Sequence, residues 1–232
     1  MMTLTSNSAG TSASEPMPVA VREADSEADA WYLQRQWHHW FGAEYDSQVA
    51  LQYDLFDIAG WTIPDDADDV SLETYGVIAE HAPAGADPVR VGGAIVVLLD
   101  HETTVDELPD GRFDAGALAG DPTAWFLLGV VDGAWRGRGI GSMLFERRLQ
   151  WARQTDAEMA ISCGWERDTG GTSRPLFERF GWVPVETIVG MYTDTGRTSC
   201  PDCGIWPTED AACACDATVW ALDLPDRGEA DV

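Results

Sequence analysis

The stretch Trp125–Trp151, WFLLGVVDGAWRGRGIGSMLFERRLQW, reads as a buried strand, a turn crowded with glycine and arginine, and a helix. Trp125 to Val131 is an apolar run, short enough for a core strand and too short to cross a membrane. Asp132, Gly133 and Ala134 close it. After Arg136-Gly137-Arg138-Gly139-Ile140-Gly141-Ser142, the apolar Met143, Leu144, Leu149 and Trp151 recur at spacings that a helix puts largely on one face. Three glycines at alternate positions let the main chain approach a ligand and take conformations denied to other residues. The N–H groups opening the following helix lack intrahelical partners, and the helix dipole adds partial positive charge. In outline this is a pyrophosphate cradle.

The spacing excludes two commoner cradles. A Walker loop needs a lysine, and this chain of 232 residues has none; a dinucleotide fingerprint needs a third glycine where Ser142 stands. Taken alone, a Gly-rich strand-to-helix turn is also compatible with a plain turn. What remains is Arg-x-x-Gly-x-Gly, filled by Arg136, Gly139 and Gly141, between a strand and a helix. Two further blocks accompany it: Leu176-Phe177-Glu178-Arg179-Phe180-Gly181-Trp182-Val183-Pro184, and Val77-Ile78-Ala79-Glu80 followed by Arg90-Val91-Gly92-Gly93-Ala94-Ile95-Val96-Val97.

In these three blocks, their order and their spacing, the sequence resembles the GNAT superfamily of acyl-CoA-dependent N-acyltransferases over about residues 17–224. The resemblance implies an α/β (α+β) GNAT fold: a mixed, mostly antiparallel sheet of about seven strands, splayed between the fourth and fifth, flanked by about four helices. It implies that Arg136, Gly137, Arg138, Gly139, Ile140, Gly141 and Ser142 hold the coenzyme A pyrophosphate. Backbone groups of Gly129, Val130 and Val131 would pair with the pantetheine arm. The implied reaction is attack of a primary amine on acetyl-CoA, which needs a neutral amine, donors for the developing oxyanion and a proton for the leaving thiolate.

The proton handlers depart from the family pattern. The helix tyrosine that often protonates the thiolate falls at Phe177, the usual asparagine falls at Gly170, and the glutamate base of some members falls at Trp125 or Phe126. Glu80, Glu166 and Asp168 are the remaining candidate bases and Tyr192 the candidate acid. Two classes of function follow: an active N-acetyltransferase, or a non-catalytic acyl-CoA-binding sensor or zinc-stapled interaction module that has lost its proton relay.

Composition narrows the setting. The 14 basic residues, all arginine, stand against 40 acidic ones, giving a net charge of −26 and a pI near 4.1. Such a charge repels nucleic acid and anionic membranes. Disorder does not explain the acidity, because 45% of residues are hydrophobic and tryptophan appears 11 times. An acidic, lysine-free, folded chain fits a salt-rich cytoplasm, where screening removes the self-repulsion. The N-terminus lacks both the basic and the apolar parts of a signal peptide, so a cytoplasmic, halophile-type protein is expected, with homodimerisation left open.

Along the chain, residues 1–16 read as a tail and 225–232 as another. Val19–Arg22 reads as the first strand, and Asp25 or Ser26 can cap a helix from about Glu27 to Phe41. His38 and His39 on it diverge by about 100°, which argues against a shared metal. Ser47–Ile58 reads as a second helix, with Tyr45, Tyr53 and Trp61 as acceptor-wall residues by the resemblance. His101–Pro122 reads as a long loop without elements, Met159–Cys163 as the fifth strand, and Cys163 as a buried small hydrophobe. Thr187–Tyr192 and Ala217–Leu224 read as the last two strands. The connection between these strands carries Cys200, Cys203, Cys213 and Cys215, whose spacing suits a structural tetrahedral zinc knuckle inserted over 198–216, with an iron site or a redox pair as alternatives.

Overall fold

The computed structural model describes residues 18–41, 71–166, 173–191 and 215–225. The second helix expected over Ser47–Ile58, both tails but for Pro225, residues Tyr45, Tyr53, Trp61, Asp168, Gly170 and Tyr192, and all of the knuckle except Cys215 and Asp216 lie outside them. No helix among the described residues is long and apolar enough to cross a membrane.

Seven strands form one sheet in the order β1-β2-β3-β4-β5-β7-β6. They are β1 (Val19–Glu23), β2 (Glu73–His81), β3 (Val89–Leu99), β4 (Thr123–Val131), β5 (Met159–Glu166), β6 (Val183–Ile188) and β7 (Asp216–Asp223). All neighbours run antiparallel except β4 and β5, which pair in parallel only at Thr123–Met159, Ala124–Ala160 and Trp125–Ile161. Past Trp125 the two strands part, as the GNAT resemblance implies.

Helix α1 (Glu27–Phe41) covers one face of the sheet, and α4 (Ile140–Ala152) with α5 (Arg174–Arg179) covers the other. The run Val91 to Leu99 is buried along its whole length because both of its faces are covered, which is why it reads as continuous rather than alternating apolar sequence. On α1, Ala30, Leu33 and Trp37 meet Ile78, Ile95 and Val97. On α4, Leu144 and Leu149 are buried as their spacing predicts, whereas Met143 stays exposed and Trp151 stacks on Tyr75 at 5.1 Å. An aromatic cluster of Phe126, Phe145, Phe177, Trp182 and Trp220 locks α4 and α5 to the sheet, with Phe177 stacked on Trp220 at 5.1 Å.

Two expectations are corrected. His101–Pro122 is not an elementless loop: it holds α2 (His101–Glu107) and α3 (Ala115–Leu118). Each starts at an aspartate that caps it, Asp100 accepting from the Thr103 N–H at 2.7 Å and Asp114 from the Ala117 N–H at 3.1 Å. The sixth strand is Val183–Ile188 and gives way to a turn from Val189, rather than running over Thr187–Tyr192. It includes Pro184, which is tolerated because β6 is an edge strand.

Candidate active site

The Gly-rich turn takes the shape its sequence predicts. A 3-10 turn (Gly133–Trp135) leaves β4, and Gly137 and Gly139 take φ of 73° and 82°, which other residues rarely adopt. Gly139 is the N-cap of α4, and the first bond into the helix runs from the Met143 N–H to its carbonyl at 3.1 Å. The N–H groups of Ile140, Gly141 and Ser142 therefore precede the first intrahelical bond. Their surroundings are open: a Cβ at Gly137 or Gly139 would meet nothing within 4 Å, and one at Gly141 only a Val131 methyl at 3.9 Å.

Arginines ring this opening in a chain that is otherwise strongly acidic. Arg136 Nε donates to the Val131 carbonyl at 3.0 Å, and Arg138 lies over the Trp135 ring at 5.1 Å with Nη2 donating to the Ala134 carbonyl. Arg179 of α5 donates to Ser142 Oγ at 3.2 Å, a link between cradle and α5 that the sequence did not reveal. Open backbone donors, a helix N-terminus and three guanidinium groups fit a pyrophosphate.

Among the described residues, the strand edge leading from the cradle has no strand paired to it beyond Trp125. Ser162 Oγ donates to the Phe126 carbonyl at 2.9 Å, the last bridge between β5 and β4. Beyond it Gly129 is exposed, Val130 is buried on the α1 side and Val131 is half-buried.

On the α1 side a cavity of about 370 Å³ is lined by Arg35, Gln36, His39, Val130, Val131, Asp132, Gly133 and Arg136. Asp132 accepts from the Tyr32 hydroxyl at 3.2 Å and from Gln36 Nε2 at 3.4 Å, and the burial of Tyr32, followed by the charge of Asp132, raises the phenol above its ordinary range. His39 lines this cavity and His38 does not, in keeping with their divergence on the helix. Sequence reading missed the Tyr32–Asp132 contact because it joins residues 100 positions apart.

The candidate proton handlers are not gathered in one place. Glu80 is clasped by Arg22, Nε to Oε2 at 3.0 Å and Nη2 to Oε1 at 3.1 Å, and this contact lowers its pKa, making it a weaker base than a free carboxylate. Arg22 also holds the fully buried Asp29, which Arg90 meets from the other side at 2.6 Å. Glu166 closes β5, its Oε1 accepting from Arg174 Nη2 and from Thr218 Oγ1, both at 2.9 Å. Phe177, at the position of the family's tyrosine, is buried against Trp220. Burial, followed by the charge of Glu107, pushes the Cys163 thiol up to about 12, so it stays protonated and is no nucleophile at neutral pH. Among the described residues no cluster of His, Cys, Asp or Glu could hold a metal; Cys215 is buried at the start of β7.

Comparison with known proteins agrees with this geometry. No curated protein matches the sequence. Solved structures share the fold at low identity. One is Arabidopsis thaliana NAA60 in complex with a bisubstrate analogue, at 13% identity and TM-score 0.56, covering 89% of this chain and 98% of that one. Another is the putative acetyltransferase yncA from Salmonella typhimurium with its cofactor acetyl-CoA, at 16% identity and TM-score 0.52, covering 93% and 99%. The ribosomal-protein-S18-alanine N-acetyltransferase from Escherichia coli matches at 12% identity and TM-score 0.50, covering 93% and 99%. The model of the acetyltransferase (GNAT) family matches residues 9–182, most of the chain including β4, the glycine cradle and α4. The chain belongs to the GNAT acetyltransferase family.

Proposed function

We propose that the chain transfers the acetyl group of acetyl-CoA to a primary amine. The observation that carries this reading is the open cradle at the N-terminus of α4, set at the end of the strand that parts from β5. The N–H groups of Ile140, Gly141 and Ser142, with Arg136 and Arg138, hold the pyrophosphate; the edge of β4 from Gly129 to Val131 pairs with the pantetheine arm. Bound there, acetyl-CoA supplies the activated acyl carbon.

The acceptor enters from the α1 side, where His39 and Asp132 are the groups lining the cavity that can take a proton from the incoming ammonium. Glu166, which closes β5 on the other side of the gap, and Tyr192 remain candidates, and Glu80 has its role in the Arg22 network. Relatives of this fold named for such different acceptors as a ribosomal protein alanine and, in a mosquito, arylalkylamines leave the amine itself open.

The four cysteines Cys200, Cys203, Cys213 and Cys215 belong to the same proposal as a structural zinc knuckle over 198–216, and the charge of −26 supports work in a salt-rich cytoplasm. Homodimerisation is compatible with this reading and is not required by it.

A second reading, a non-catalytic acyl-CoA sensor, draws on one observation: Phe177 supplies no proton and is built into the core. Release of free thiol from acetyl-CoA over a panel of amines separates the two. Release with any amine supports the transferase; saturable binding with no release across the panel supports the sensor.

A further inference from the structure

Two charged side chains among the described residues are buried, and they differ in kind. Asp29 is surrounded by Arg22 and Arg90. Arg148, 5% exposed in the middle of α4, has no carboxylate partner among the described residues. Around it on the same helix face stand Leu144, Phe145, Leu149 and Ala152, all apolar and buried. Burying a cation without an anion is unfavourable, and an apolar side chain would satisfy the packing.

The head of Arg148 sits at the one irregularity of β4. Ile95 pairs with Leu128 and Val96 with Phe126, so Leu127 is an extra residue, a β-bulge. Arg148 Nη1 donates to the Leu128 carbonyl at 2.8 Å and to the Ile95 carbonyl at 3.2 Å. Its Cζ lies 4.7 Å from the centre of the Phe126 ring, and Nη2 lies 3.0 Å from where a Cβ on Gly129 would stand. Nε, equally buried, has no hydrogen-bond partner among the described residues. Burial lowers the guanidinium pKa to about 9, which leaves it charged at neutral pH.

Because a peptide unit is planar and trans, a Leu128 carbonyl held on the β3 side turns the Gly129 N–H to the opposite edge, the one β5 has left. A cation on the carbonyl end polarises that peptide and strengthens its N–H as a donor. We propose that Arg148 is a positioning residue for acyl transfer: it fixes and polarises the Leu128–Gly129 peptide so that the Gly129 N–H can hold the thioester carbonyl oxygen of acetyl-CoA as negative charge develops on it. The inference rests on the acetyl-CoA reading above. It gives the uncompensated charge a function, since a fixed positive field behind the donor is stabilising where an oxyanion forms.

The test uses acetyl-CoA labelled with carbon-13 at the acetyl carbonyl, bound to the full chain and observed by isotope-edited infrared difference spectroscopy, so that no acceptor is needed. The carbonyl band lies below that of free acetyl-CoA in the wild type and in Arg148→Lys, which keeps a cation. In Arg148→Met it returns toward the free value, with affinity for acetyl-CoA nearly unchanged. Arg148→Gln, neutral but still able to donate to the carbonyls, gives the same comparison if the Met variant fails to fold. A band at the same frequency in wild type and neutral variant overturns the role of Arg148 alone. A wild type that binds no acetyl-CoA overturns the transferase reading and this inference with it.

Discussion

Ser162 Oγ donates to the Phe126 carbonyl at 2.9 Å where the parallel pairing of β4 and β5 ends. The bond sits at the vertex of the gap between these strands, and Ser162 is only 5% exposed. Ser162→Ala leaves the buried Phe126 carbonyl without that partner, which costs about 1–2 kcal/mol. Urea unfolding checks this; an unchanged midpoint would mean that the vertex is held without the hydroxyl. The same variant should bind acetyl-CoA more weakly, since the strand edge is no longer anchored at its root.

The cradle glycines separate by conformation. Gly139 has φ of 82°, so Gly139→Ala forces a strained backbone at a cost of about 1–2 kcal/mol. Gly141 is helical and its Cβ position is nearly clear, so Gly141→Ala keeps the fold and gains up to about 1 kcal/mol of helix propensity. Gly141→Asp also folds, but it sets a carboxylate among donors meant for a pyrophosphate, and coenzyme A binding should be lost. Calorimetry on the folded variant decides; unchanged affinity would remove the cradle from the account.

The Arg22–Asp29–Arg90 cluster predicts an acid-sensitive fold. Burial disfavours the Asp29 carboxylate, yet hydrogen bonds from Arg22, Arg90, Ser26 and the Asp25 N–H outweigh it and hold the pKa well below the ordinary carboxylate range. Contact with Arg22 lowers Glu80 in the same direction. A carboxylate depressed in the folded state contributes stability that is full above its unfolded pKa, near 4, and is lost as pH falls through the folded value. Asp29→Ala should cost about 3 kcal/mol near pH 7, because both arginines keep some access to water, and about 1 kcal/mol less near pH 3, the rest being lost only as pH falls on toward the folded value. Equal losses at the two pH values in urea titrations would contradict the charge network.

If the four cysteines form a knuckle, metal analysis of the native protein should find about one zinc per chain and little in a Cys200→Ser, Cys203→Ser variant. A metal-free native protein would reduce their spacing to coincidence.

What the sequence made legible was local. The cradle could be read because its glycines, its arginine and its flanking strand and helix lie within one short segment, and glycine spacing has few other uses. Strand β4 could be read from a continuous apolar run, and β2 and β3 from blocks similar to the family's second and third strands. Helices α2 and α3 escaped notice because each depends on one capping aspartate rather than on periodicity. The start of β6 at Val183 is not legible locally, because Pro184 is tolerated in a strand only at an edge, which is a tertiary property. Arg148 escaped because an arginine on an amphipathic helix is read as solvent-facing, and only the bulge of β4, a tertiary feature, explains its burial. The proposed proton handlers lie on separate elements, His39 on α1, Asp132 just after β4 and Glu166 at the end of β5, and no local pattern encodes their placement.

The most direct test of the central claim is titration calorimetry of acetyl-CoA against the full chain in molar KCl, followed by thiol release over an amine panel. The wild-type protein should bind acetyl-CoA saturably at one site, lose that binding in Gly141→Asp, and release thiol faster with at least one amine. No binding by the folded wild-type protein would contradict that claim.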